Sequence, residues 1–154
     1  MSMLRIFQAL RPVAALLCAA FAVAPTGAAV AREPATKPAV CADFLAQMQK
    51  KPAHLIFDQC SSAPERQGKP LRATYHVSGV HAARVEAALV KSFGLTKLKR
   101  SCCQWDSPAV SFKSVRGVDF LISMVSQETL LAKRSQWRDI PRFEIMIEML
   151  TEEI

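Results

Sequence analysis

Leu71, Ala73, Tyr75 and Val77 alternate with Arg72, Thr74, His76 and Ser78, and the same two-residue period returns near the chain's end, where Phe143, Ile145, Ile147 and Met149 alternate with Arg142, Glu144, Met146 and Glu148. Successive side chains of a strand point to opposite faces, so each segment predicts a strand with one buried and one wet face. Such strands belong to mostly antiparallel sheets whose second face meets solvent. The first face needs an apolar cover, and the segment after Val77 supplies one. Ser78-Gly79 offers a helix start, and Ala82, Val85, Leu89 and Phe93 form one stripe at helical spacing. Gly94 followed by Leu95 is the pattern of a helix stopping in a left-handed turn.

Weaker signals complete the order. Val40, Cys41, Phe44, Leu45 and Met48 recur at helical spacing, and Lys50-Lys51-Pro52 ends that pattern with positive charge where the helix dipole favours it. His54–Cys60 reads as a strand, Ser61–Pro70 as an exposed loop and Lys97–Trp105 as a third strand. Asp106-Ser107-Pro108 reads as a turn, Ala109–Phe112 as at most a short strand, and Asp119–Ser126 as another strand. Gln127–Trp137 is expected to be a short helix with Leu130, Arg134 and Trp137 on one side. The expected order is α-β-β-α-β-β-α-β, an α+β two-layer domain with a mostly antiparallel sheet and helices packed on one face.

The N-terminal block predicts export. Arg5 and Arg11 give a positive start, Val13–Val23 is an apolar run, Pro25 and Gly27 break it, and Ala29-Val30-Ala31 presents small residues for cleavage. The run is too short for a membrane-spanning helix, which needs about twenty apolar residues. Cys18 lies inside the run after Leu17, which argues against lipidation. Residues 1–31 are thus expected to be a signal peptide, 32–39 a tether, and 40–154 a single domain outside the cytoplasm, periplasmic or secreted, with no further membrane span. Arg5 and Arg11 would leave with the peptide, so 18 of the 20 basic residues would remain against 13 acidic ones, a charge of +5. That balance favours anionic surfaces without naming a partner.

Four cysteines would remain, Cys41, Cys60, Cys102 and Cys103. An even count in an exported chain points to disulfides. Three pairings exist. A bond between adjacent residues closes a strained ring, so the expectation is two bridges that join Cys41 and Cys60 each to one of the doublet. Leu98 would share a strand face with Cys102, which favours Cys41–Cys102 and Cys60–Cys103.

No pattern in the chain specifies catalysis, metal or cofactor. The Cys102-Cys103 doublet lacks the two-residue spacer of redox motifs. Neither the four cysteines nor Cys102, Cys103, His76 and His81 contain a close-spaced ligand pair of structural zinc type. His54 reads as solvent-facing. Ser61, Ser62 and Ser101 lie outside any nucleophile elbow. Asp106 and Asp119 could serve as paired carboxylates only across a cleft, and Glu144, Glu148, Glu152 and Glu153 read as a wet face and tail. Lys97, Lys99 and Arg100, and then Lys133, Arg134, Arg138 and Arg142, form basic clusters with little aromatic interleaving, which argues against nucleic acid.

The helix opening at Cys41, the Lys51-Pro52 break, the strand ending at Cys60, ATYHVSG before HAARVEAAL, the doublet in CCQWD, and SMVSQET before RSQW together resemble an exported bacterial family known as a domain of unknown function, numbered 4952. The resemblance extends over Val40–Ile154, with Cys-Cys-Gln-Trp its most specific feature. It implies export and domain extent and brings no activity. The expected function is a non-catalytic protein-binding module, such as an inhibitor, an immunity protein or an envelope accessory factor. It would contact an acidic envelope protein through Trp105, Arg134, Trp137 and Arg138, residue types favoured as anchors. The alternative is a thiol–disulfide oxidoreductase using Cys102 or Cys103.

Overall fold

A computed structural model describes residues 39–152. The expected leader, and the expected tether apart from Ala39, lie outside the described residues. The rest forms an α+β fold around a seven-stranded sheet. The strands are β1 (Ile56–Ser62), β2 (Leu71–Val77), β3 (Lys99–Ser101), β4 (Gln104–Asp106), β5 (Val110–Lys113), β6 (Asp119–Ser126) and β7 (Phe143–Met149). Helices α1 (Phe44–Gln47) and α2 (Gly79–Phe93) and a 3-10 helix (Arg134–Asp139) complete it. The order across the sheet is β1-β2-β7-β6-β4-β3, with β5 also on β6, and every pairing is antiparallel.

The alternating strands behave as their pattern requires. Leu71, Ala73, Tyr75 and Val77 of β2 and Phe143, Ile145 and Ile147 of β7 are buried, together with Phe120, Ile122 and Met124 of β6. They share one core with Ala82, Val85, Leu89 and Phe93 of α2. That helix ends where Gly94 takes φ +73° and donates its N–H to the Val90 carbonyl at 3.0 Å. Its other end is capped by tertiary structure. The Ser78 side chain makes no cap bond, and the Gly79 N–H donates instead to the Ile140 carbonyl at 3.1 Å. Gly79 can do so because it has no Cβ: one would overlap the Trp137 and Ile140 carbonyl oxygens.

Helix α1 is one turn long and is held by Asp43. Its carboxylate accepts the Ala46 N–H at 3.0 Å, the Tyr75 hydroxyl at 3.1 Å and the Lys51 ammonium at 2.7 Å. Burial alone would raise the Asp43 pKa, but these donors outweigh it and hold the carboxyl below its ordinary value. Burial and the adjacent Asp43 charge push the Tyr75 hydroxyl well above its ordinary value. Nearby, Ser107 and Ser126 are buried hydroxyls that patch the ladder where β4 leaves β6. Ser126 Oγ accepts the Trp105 N–H at 2.9 Å, and Ser107 Oγ accepts the Met124 N–H at 3.2 Å.

Three expectations are corrected. The strand expected over Lys97–Trp105 is a hairpin: Ser101 pairs with Gln104, and Cys102-Cys103 is its two-residue turn. The helix expected over Gln127–Trp137 survives only as the 3-10 turn. Its first half is tied to other segments by Gln127 N–H to Arg142 O at 3.0 Å and Thr129 N–H to Cys103 O at 2.6 Å. The disulfide joins Cys41 to Cys60, with Cα atoms 5.5 Å apart, and Cys102 and Cys103 are free. The expected cross-pairing fails on topology, because β1 and β3 are the two outermost strands. About five strand spacings of roughly 4.8 Å separate them, while a bridge requires Cα atoms within about 7 Å.

Candidate functional site

All three helices address the same side of the sheet. In α1, the Leu45 N–H donates to the Tyr75 hydroxyl at 3.2 Å and the Phe44 ring meets Phe120 edge-on at 5.7 Å. From the 3-10 helix, Trp137 packs on Phe143 at 4.9 Å. The opposite face therefore carries the other half of each alternation, and the strand register lays it out in rows. Arg72 of β2 stands opposite Glu148 of β7, which stands opposite Leu121 of β6. Thr74, Met146 and Ser123 form the middle row, and His76, Glu144 and Val125 the third.

Charges on this face are held in place. Glu148, its side chain 10% exposed, accepts from Arg66 of the β1–β2 loop and from Arg72 Nε and Nη2 at 2.8 and 2.6 Å. At the other end, Asp58 accepts from Arg142 Nη2 at 2.6 Å and pairs with His76 Nδ1 at 2.5 Å. Two shallow depressions flank the middle row. One, about 240 Å³, is bounded by Gln104, Val125, Arg142 and Glu144; the other, about 140 Å³, by Arg72, Leu121, Met146 and Glu148. The face thus combines fixed Arg–carboxylate pairs with a flexible Met and small hydroxyls, a mixture that suits contact with another protein surface.

Chemistry of other kinds finds less here. Asp58–His76 is a carboxylate–imidazole pair of the type that orients a base. The hydrogen bonds among the described residues bring no hydroxyl or thiol to it. Among the described residues, no three His, Cys, Asp or Glu side chains group to hold a metal ion. His54 and His81 stack with ring centroids 3.7 Å apart, but parallel rings do not converge on one ion.

Of the four residues expected to contact a partner, the two tryptophans are inside and the two arginines are exposed. Trp105 and Trp137 are 6% and 2% exposed and meet edge-to-face at 5.3 Å. The Trp105 indole N–H donates to the Leu131 carbonyl at 3.0 Å. Arg134 lies over both rings and is ion-paired to the buried Glu86. Arg134, its side chain 42% exposed, and Arg138 are the two exposed members. The tryptophans are core residues because the segment after β6 folds back over the core and the 3-10 turn aims Trp137 inward. The open face itself was not singled out from sequence, although the wet halves of β2 and β7 were its signal.

The remaining chemistry-bearing feature is the β3–β4 turn. Cys102 takes φ +45° and is exposed, and its Sγ lies 2.8 Å from that of Cys103. The hydrogen bond shared with Cys102 leads the causes that hold the Cys103 thiol above its ordinary pKa, with burial and the nearby Glu128 adding to it against Arg100.

Comparison with known proteins adds a family and nothing more. A family model described as a domain of unknown function (DUF4952) matches residues 30–105, ending at Trp105 of β4 and so covering less than Val40–Ile154. No curated protein and no solved structure matches the chain.

Proposed function

We propose that this chain, whose residues 30–105 match the DUF4952 family of unknown function, is an exported, non-catalytic module that binds a folded protein partner across the open face of its sheet. The carrying observation is the face itself: three rows of mixed polar, apolar and fixed charged side chains on the side opposite the helices. Arg72, Arg142 and Met146 are residue types enriched at such contacts. The Cys41–Cys60 bond suits an oxidising compartment, as does the leader pattern at residues 1–31. No helix among the described residues is long and apolar enough to cross a membrane. Arg138, with the exposed part of Arg134, is the second contact region, where an acidic partner would dock.

Cross-linking and capture in intact bacterial cells with the C-terminally tagged full chain tests this. Recovered protein is expected to begin at Arg32 and to bring down one partner. Met146→Lys should lower capture at least tenfold with unchanged melting, since it places an unpaired charge in the middle row. Capture insensitive to both Met146→Lys and Arg138→Ala, or recovery of the uncleaved chain from the cytosol, would sink the proposal. The thiol–disulfide oxidoreductase reading keeps one observation in its favour, the free and touching thiols of Cys102 and Cys103.

A further inference from the structure

We infer that Cys102 and Cys103 form a redox-active dithiol site that closes, by exchange with an external disulfide, into a disulfide between neighbouring residues at the tip of the β3–β4 hairpin. The inference deepens the oxidoreductase reading by specifying what the two thiols do, and it does not require turnover.

The geometry carries it in three ways. First, the doublet is the whole of a two-residue turn between Ser101 and Gln104. Side chains that would part company on a strand are here brought to 2.8 Å between sulfurs. Second, Cys102 occupies φ +45°, a left-handed conformation in which L-residues other than Gly, Asn and Asp are uncommon. Gln49, His54 and Lys69 also take positive φ, so at Cys102 it is the combination of this backbone with a second thiol at 2.8 Å that marks the position. Third, the surroundings do hold it. The Cys103 carbonyl accepts the Thr129 N–H at 2.6 Å, and Arg100 Nη2 donates to the Thr129 carbonyl at 2.6 Å. The tip is therefore anchored at both sides while Cys102 stays open to solvent. The pair is also isolated, because the only other cysteines of the described residues are bonded to each other at the far edge of the sheet.

The order of events follows from the two environments. Cys102 is the exposed member of the pair, whereas the hydrogen bond shared with it raises the Cys103 thiol above its ordinary pKa, so the first attack on the external disulfide falls to Cys102. Its sulfur bonds to one sulfur of the external disulfide, whose S–S bond breaks and releases one thiolate. Cys103 then gives up its proton and attacks Cys102 Sγ, which expels the second thiolate. The two cysteine protons end on the two released thiols. The protein is oxidised by two electrons and the external disulfide is reduced by two.

Oxidised glutathione serves as the probe, with the full chain as substrate. Trypsin cuts after Arg100 and Lys113, so peptide 101–113 carries both cysteines and neither Cys18, Cys41 nor Cys60. Wild-type peptide is expected to lose two hydrogens, without added glutathione and without uptake of a thiol-blocking reagent. Cys103→Ser should accumulate a glutathione adduct on Cys102, and Cys102→Ser should react at least tenfold more slowly. A wild-type peptide that keeps both thiols, stops at the adduct, or is cross-linked to another peptide overturns the inference. Wild-type mass alone decides this should a variant fail to fold. Repeated release of reduced glutathione when a dithiol reductant is supplied measures turnover separately, so enzyme and site can fail independently.

Discussion

Arg134 and Glu86 clamp the peptide of Leu98 between them. Glu86 Oε1 accepts the Leu98 N–H at 2.7 Å, Arg134 Nη1 donates to the Leu98 carbonyl at 2.8 Å, and the two side chains close the ring through their own ion pair. The guanidinium also lies 4.2 Å from the Trp137 ring centroid. The Glu86 side chain is 5% exposed and that of Arg134 42%, so solvent screens one partner only. Arg134→Ala leaves a buried carboxylate with one donor fewer. The expected loss is roughly 1–3 kcal/mol in urea denaturation. Arg134→Lys keeps the charge but not the fork and should recover only part of it.

Gly79→Ala should be among the most damaging single-methyl changes in the chain, because Gly79 is buried against backbone. A single methyl there meets two backbone carbonyls rather than mobile side chains, so α2 or the 3-10 helix must move. Overpacking of this kind costs about 1–3 kcal/mol. The lowered melting temperature should come with a changed tryptophan near-ultraviolet signal, because Trp137 carries one of the carbonyls. Gly94→Ala meets no neighbour and should cost less, about 1 kcal/mol, from its left-handed backbone alone.

Reduction of Cys41–Cys60, or their replacement together by Ala, should lower stability by about 3 kcal/mol in the chain-entropy model for a loop of this size. The bridge spans 19 residues and fastens the entry to α1 onto outer strand β1. Equilibrium denaturation with and without reductant measures it. A Cys102→Ser, Cys103→Ser chain should show the same reductant-dependent loss.

Acid should destabilise the protein in two separated steps. Desolvation leads the causes that lower the His81 pKa, with His54 and Arg84 adding repulsion, so the folded state takes up its proton less readily than the unfolded chain. Its contribution is complete above about pH 6.5 and declines as pH falls from there through the lowered folded value. Asp43, also depressed, contributes fully above about pH 3.9 and loses that contribution as pH falls through its folded value. Melting temperature against pH should show both steps, with His81→Asn flattening the upper one. Asp43→Ala should remove the lower one and about 1–2 kcal/mol of cap stability at neutral pH.

Much of the fold was legible because local chemistry and tertiary environment agree. The β2 and β7 alternations, the α2 stripe and the Gly94 stop are each written in consecutive residues. What was missed depends on neighbours distant in sequence. The turn at Cys102-Cys103 carries no Gly, Asn or Asp, so nothing local announced a positive φ. The cysteine pairing follows from strand order, which periodicity does not encode. Trp105 and Trp137 resembled surface anchors because Arg134 and Arg138 sit beside them in the chain. In three dimensions Arg134 covers the indoles, and the two arginines are exposed while the two tryptophans stay in the core. The wet halves of β2 and β7 were visible, but their assembly into one face required knowing that β7 lies between β2 and β6.

That placement of β7 has a consequence for how the molecule comes into being. Among the described strands the one latest in sequence joins the halves, so a ribosome or a translocation pore must deliver the chain as far as Met149 before β2 and β6 can be bridged. Until then each presents a bare hydrogen-bonding edge that a second nascent chain could occupy. A product stopped after Trp105 would contain neither β6 nor β7, and would be a substrate for proteases rather than a smaller version of the protein.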